Sequence, residues 1–336
     1  MQEESKQYFF DMVDTVRQKL DSLPTESCLR KHFPGSRIDE IAKKIKENNS
    51  KDLEWGYWQP FFLFLDRADN SAIQSLDHDL QAVAARSGQN VLKLFKFLND
   101  EGEFKTSWSA GLFEVFTKAA LLHSGELSVE AFDWAMPNGR KPDAKLKVGQ
   151  RAFCVECTTL GDSDADKARW RAHCERLKKK PDATYCESQD AYTQGRRLYD
   201  KVYYKIAEGF DLNKSQLCPD SPNLLLIGLF PVLGDLTPTT TPSVGWALDE
   251  LFNSQPTGNR STVSLYEYLR HNLDGMNDSL NELLAAPRML SGILLFNRYK
   301  LDHARINYNA DKKCRISHAE MALFEKIFER SPSYCC

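Results

Sequence analysis

The chain has no run of about 18 apolar residues, so it is expected to have no membrane-spanning helix. It also has no dominant charge. Its 44 basic and 47 acidic residues leave a net charge of −3, so the whole molecule is not a polycation. Any nucleic-acid binding would have to use a local patch. No internal repeat is evident. There is no GxxxxGK[ST] loop and no Ser-His-Asp arrangement, which disfavours a P-loop ATPase and a serine hydrolase. The seven His are spread thinly, and those at 123, 173, 271 and 303 form no ligand pattern. His318 opens the last predicted helix and reads as structural. Nine Cys form no disulfide framework, and Cys154 and Cys157 face opposite sides of a predicted strand, so they cannot share a zinc. This odd count predicts reduced thiols and a cytoplasmic protein. The polar start MQEESKQYFF is not a secretion signal.

What remains is ordinary globular composition, 42% hydrophobic and 27% charged over 336 residues. Residues 1–105 read as an N-terminal helical domain. Met12, Val13, Val16 and Leu20 mark an amphipathic first helix, and further helices are predicted at 38–47, 58–65, 77–86 and 91–98. A linker at 99–103 precedes an α/β domain over 106–336. Its predicted order is a helix at 108–123, a strand at 129–136, two strands of a hairpin, a helix at 195–206, a buried strand at 224–230, helices at 244–252 and within 263–284, a strand at 291–297 and a last helix at 319–329. A further helix is expected at 165–180, and a Thr/Pro loop at 236–242. This pattern predicts a mixed central sheet flanked by helices.

The hairpin at 140–161 carries the chemistry. A strand starts at Pro142-Asp143, turns at Val148-Gly149-Gln150, and returns as the apolar run Ala152-Phe153-Cys154-Val155 ending in Glu156. Burying a carboxylate there is costly without a positive partner. Asp143, one turn away, makes a pair of acids that outlines a divalent-cation site. Glu114 lies on the preceding helix. Arg197, Lys201 and Lys205 form a basic stripe on the following one, suited either to solvent or to phosphate contact.

This order of helix, strand, Pro-Asp, turn, apolar strand, acid, helix and buried strand resembles the PD-(D/E)xK nuclease superfamily, with its restriction-endonuclease-like fold, over roughly 107–230. The resemblance implies that Asp143, Glu156 and the backbone carbonyl of Cys157 hold Mg²⁺ or Mn²⁺. It implies that Glu114 acts through the metal or a bound water, and that the chain hydrolyses phosphodiester bonds, DNA more than RNA, in a bacterial or phage-defence setting. The family's Lys, two residues after the acid, is Thr158 here. Thr donates a hydrogen bond but carries no charge. Lys145, Lys201 or Lys205 could supply the missing amine. The alternative is a catalytically degenerate nuclease fold that binds nucleic acid or protein. A third reading pairs the acids structurally with Arg140 or Arg151. The helical domain leaves room for a protein partner, and an oligomer remains open.

Overall fold

A computed structural model of the chain describes residues 2–47, 65–87, 107–160, 191–229, 242–253, 264–273, 277–297 and 299–329. The helices expected at 91–98 and 165–180 lie outside these residues, as does all but the last residue of the one at 58–65. Of the expected Thr/Pro loop only Pro242 is described, and it opens a helix. The chain divides into two compact units, one running to Leu122 and the other from His123 to Arg330. The division therefore falls at the end of the helix that the sequence assigns to the α/β domain.

Among its described residues the first unit contains α1 (Gln2–Asp21), α2 (Cys28–His32), α3 (Gly35–Glu47), α4 (Asn70–Ser87) and α5 (Ser107–His123), whose last residue counts with the second unit. Met12, Val13, Val16 and Leu20 are buried along α1 at the spacing expected of a helical stripe. Helix α4 starts earlier than its apolar pattern suggests because Asp69 caps it, accepting from the Ala72 N–H at 2.7 Å. Buried Asp77 on α4 accepts from Ser27 Oγ at 2.8 Å, from the Leu29 N–H at 2.9 Å and from Gln81 Nε2 at 2.7 Å, and so ties down the start of α2.

The second unit is built on six strands: β1 (Ser128–Phe132), β2 (Ala144–Val148), β3 (Arg151–Leu160), β4 (Asn223–Leu229), β5 (Gly292–Asn297) and β6 (Lys300–Ile306). They lie in sequence order, with β1 to β3 antiparallel, β3, β4 and β5 parallel, and β6 antiparallel to β5. The mixed α/β sheet is as the sequence predicts, except for β6. That strand is an exposed, charged edge with little apolar alternation, and such edges resist both detection and aggregation. β4 is buried along its whole length, which accounts for its continuous apolar run.

Helices α6 (Ala191–Ile206), α7 (Pro242–Asn253), α8 (Leu265–Asn272) and α9 (Asn277–Ala285) follow β3 and β4. Leu198, Val202 and Ile206 of α6 join Leu248 and Leu251 of α7, Leu225 and Ile227 of β4, and Ile293 and Leu295 of β5 in one buried cluster. The opposite face is covered by α10 (His318–Phe328), where Phe324 packs on Phe153 with ring centroids 5.6 Å apart and Phe328 packs on Phe296 at 5.2 Å. Both α8 and α10 begin in a capping box, Ser264 with Glu267 and Ser317 with Glu320. Gly292 is forced by this packing, since a Cβ there would lie 2.5 Å from Met321 Cε and 2.7 Å from the Arg305 carbonyl oxygen. Gly292→Ala should therefore cost about 2 kcal/mol, read as a lower urea midpoint at unchanged slope.

Candidate active site

The β2–β3 turn places the acids. Gly149 has φ +60° and Gln150 does not enter the left-handed region, the pattern of a two-residue turn with Gly first. This turn sets Val148 opposite Arg151 and Ala144 opposite Val155. One step beyond that last pair, Asp143 comes opposite Glu156. Side chains directly opposite in an antiparallel pair share a face, and Glu156 shares its face with Thr158 and Leu160. Leu160 lies in the cluster with α6, so Glu156 points beneath that helix.

Glu156 is only 1% exposed. Its Oε2 accepts from Lys205 Nζ at 2.7 Å, and its Oε1 is buried without a hydrogen-bond partner. Burial, and next the neighbouring Asp143 carboxylate, push the Glu156 carboxyl well above its ordinary range, and Lys205 only partly offsets them. Lys205 is itself largely buried, its side chain 12% exposed. Burial pulls its pKa down, but Asp143 and then Glu156 outweigh that, so the ammonium is held more firmly than an ordinary lysine. Lys205 reaches the site because it lies beside Ile206 at the inner edge of α6, where that helix meets β3.

Asp143 is anchored by the Cys157 N–H, which donates to its Oδ2 at 2.6 Å. Cys157 lies two residues past the last β2 pair, and in a strand both backbone groups of a residue point to the same side. Its carbonyl therefore faces the Asp143 side, beyond the start of β2. A third acid completes the row. Asp133 follows β1 with φ +49°, a conformation that Asp tolerates better than most residues. Its N–H donates to the Asp143 carbonyl oxygen at 3.2 Å, and the carboxylates of Asp133 and Asp143 come within 4.8 Å of each other. Asp133 just after β1, Asp143 just before β2 and Glu156 within β3 thus lie side by side across three neighbouring strands. In the sequence Asp133 is concealed inside the longer strand expected at 129–136. The available signal was an acid at a strand end just before the Pro-Asp hairpin.

Each of the other expected residues has its own setting. Lys145 pairs with Glu130 at 3.1 Å and lies over the Trp134 ring at 4.8 Å. Glu130 occupies a bulge in β1 and also holds Lys147 at 2.6 Å. Thr158 is half-buried opposite Ile227 on the Glu156 face. Arg197 is half-buried and Lys201 exposed on α6, so the basic stripe divides, with Lys205 turned inward. Glu114 belongs to the first unit, where it pairs with Lys118 Nζ at 2.6 Å along α5. Arg140 pairs with Glu208, and Arg151 with Glu320 at 2.9 Å. The structural pairing expected of the acids with these arginines is therefore replaced by one with Lys205.

The donor set suits a hard cation. It consists of carboxylate oxygens and a backbone carbonyl, and the buried Glu156 Oε1 has no hydrogen-bond donor. No helix among the described residues is long and apolar enough to cross a membrane. Comparison with protein-family models, with curated proteins and with solved structures finds no match to the chain.

Proposed function

We propose that the second unit is a Mg²⁺- or Mn²⁺-dependent nuclease of the PD-(D/E)xK kind, hydrolysing phosphodiester bonds of DNA. The observation that carries this reading is Glu156. It is a buried carboxyl beside Asp143, with one oxygen on Lys205 and the other unpartnered. Asp143, Glu156 and the Cys157 carbonyl would hold the cation, with Asp133 as a further carboxylate at its edge. A cation held there would lower the pKa of a bound water and offset charge on the phosphate.

Lys205 takes the part of the lysine that Thr158 replaces. Because its neighbours hold it protonated, it acts as a fixed positive charge and not as a base. It keeps Glu156 Oε2 in place and presents positive charge at the row of acids. Thr158, on the same face, offers a hydroxyl that can position water. Arg197 and Lys201, further along α6, extend the positive charge toward the phosphate backbone.

The test is cleavage of plasmid and single-stranded DNA by the whole chain in Mg²⁺ or Mn²⁺. Cleavage is expected with either ion and is expected to vanish in Asp143→Ala and Glu156→Ala. A second reading rests on the same Lys205–Glu156 pair taken as a closed structural contact. The fold would then bind nucleic acid without cutting it. DNA retention with no cleavage in either ion would favour that reading.

A further inference from the structure

Tyr199, Tyr203 and Tyr204 lie in the second half of α6, and only the first two pack in the core. Tyr199 and Tyr203 are buried, with ring centroids 5.3 and 6.0 Å from that of Tyr268. The Tyr203 hydroxyl donates to the Leu283 carbonyl oxygen at 2.8 Å. Tyr204 turns the other way and is 50% exposed. Among the described residues its ring meets no other ring and its hydroxyl makes no hydrogen bond. The fold therefore gives this aromatic side chain nothing to hold.

A lone exposed aromatic is ordinary, but the surroundings of this one are not. Lys201 and Arg197 precede it by three and seven residues, which places all three on one side of α6. They lie about 4.5 and 10.5 Å from Tyr204 along the helix axis. Lys205 follows directly, with its Nζ on Glu156 Oε2 at 2.7 Å. Lys201 is exposed and has no ion pair among the described residues, and a cation stands one turn away on either side of it. Like charges at this spacing destabilise a helix, so the ridge is suited to an anion that spans it. The acids one turn either side of Tyr204 are engaged elsewhere. Asp200 Oδ1 accepts from the Tyr268 hydroxyl at 2.7 Å, and Glu208 pairs with Arg140.

We infer that Tyr204 is a stacking platform for a base of single-stranded DNA whose phosphates lie along Lys201 and Arg197, and that an unpaired strand is therefore the ligand of the site. The inference rests on the nuclease reading for the identity of the polyanion. A ring flanked by cations matches a strand that alternates phosphates with flat bases. Stacking on Tyr204 needs an open base face. In a duplex both faces of each base are covered by its neighbours in the stack, so only an unpaired strand offers one. The platform is also fixed in place, because the opposite side of α6 is held in the buried cluster by Leu198, Val202 and Ile206. Tyr204 adjoins Lys205, so a base seated there belongs to a strand that continues to the row of acids.

The test is fluorescence anisotropy of the whole chain with a labelled thymidine oligonucleotide, an abasic strand of the same length and a duplex, in EDTA so that nothing is cut. Wild type is expected to bind the thymidine strand about tenfold more tightly than the abasic strand, which has the same phosphates and no bases. Tyr204→Ala should bind both strands alike, at the abasic level, and Tyr204→Trp should bind the thymidine strand at least as tightly as wild type. Lys201→Ala should weaken both strands together and lower the salt slope by about 1. Equal binding of the two strands by wild type, an undiminished Tyr204→Ala, a duplex bound more tightly than the thymidine strand, or no binding of that strand would overturn the inference. None of these readings requires cleavage. A chain that binds in the expected way but cuts in neither Mg²⁺ nor Mn²⁺ fails as a nuclease and keeps the stacking site, whereas one that cuts DNA but binds both strands alike fails on this inference alone.

Discussion

Lys205→Met is expected to cost the second unit about 3 kcal/mol at neutral pH, the low end of what removing one partner of a buried ion pair costs. The loss stays at the low end because Glu156 can escape by keeping a proton beside Asp143. That escape fixes the pH dependence. The Glu156 carboxyl is raised in the folded state, so its contribution is complete below its unfolded value, about 4.3, and declines as pH rises toward the folded one. Without Lys205 the folded value moves higher still, and the decline extends further. The deficit of the variant against wild type should therefore be small near pH 4 and widen as pH rises. Lys205 shifts in the other sense. Its folded pKa is raised, so its contribution holds up to the unfolded lysine value, about 10.4, and is lost only above that. Urea titrations at several pH values check this, and a deficit that does not change with pH would sink the argument. Adding Glu156→Gln to Lys205→Met should recover most of the loss, as expected of two groups that interact directly. Cleavage should fall on the order of a hundredfold or more in Lys205→Met, since a preorganised charge is gone. Adding Thr158→Lys should return part of it, because Thr158 is on the Glu156 face.

The acids were legible because strand alternation and a two-residue turn leave little freedom. Once Gly149 is placed in the turn, Asp143 and Glu156 must come opposite each other. The parallel core was legible for a similar reason, since β4 has an unbroken apolar run that only a fully buried strand needs. The role of Lys205 was harder. A basic residue every fourth position looks like one stripe, but the apolar face of α6 is wider than Leu198, Val202 and Ile206. Tyr199 and Tyr203 are buried too, and that rotates Lys205 to the rim of the contact while Lys201 stays in solvent. Asp133 was hidden by the boundary of its strand, where a backbone turn to positive φ ends β1 four residues early. β6 was hidden by composition, because an exposed edge strand has no need of an apolar face. The capping boxes at Ser264 and Ser317, by contrast, were present in the sequence as Ser-x-x-Glu and would have fixed both helix starts.

Asp143→Asn should separate stability from function. In the absence of metal it is expected to leave stability within about 1 kcal/mol of wild type, because the Asp143 charge raises the Glu156 carboxyl but also steadies the Lys205 ammonium, and its loss relieves one while weakening the other. The Asn oxygen can keep the bond from the Cys157 N–H, so the local backbone need not change. Glu156 should then titrate lower, and stability should depend less on pH above the unfolded carboxyl value. With metal the two proteins separate. Wild type should gain about 2.7 kcal/mol at a hundredfold excess of Mg²⁺ over its Kd, and the variant should gain little. Thermal melts with Mg²⁺ and with EDTA read both effects in one experiment, and DNA cleavage by the variant should be lost. A structural pairing predicts the opposite. If Asp143 serves only to hold Cys157, the charged bond it makes is worth more than a neutral one, so Asn would lower stability and Mg²⁺ would shift neither protein. The Mg²⁺ shift of wild type, and its loss in Asp143→Asn, thus decides whether the two carboxylates are held together for a cation or only for the fold.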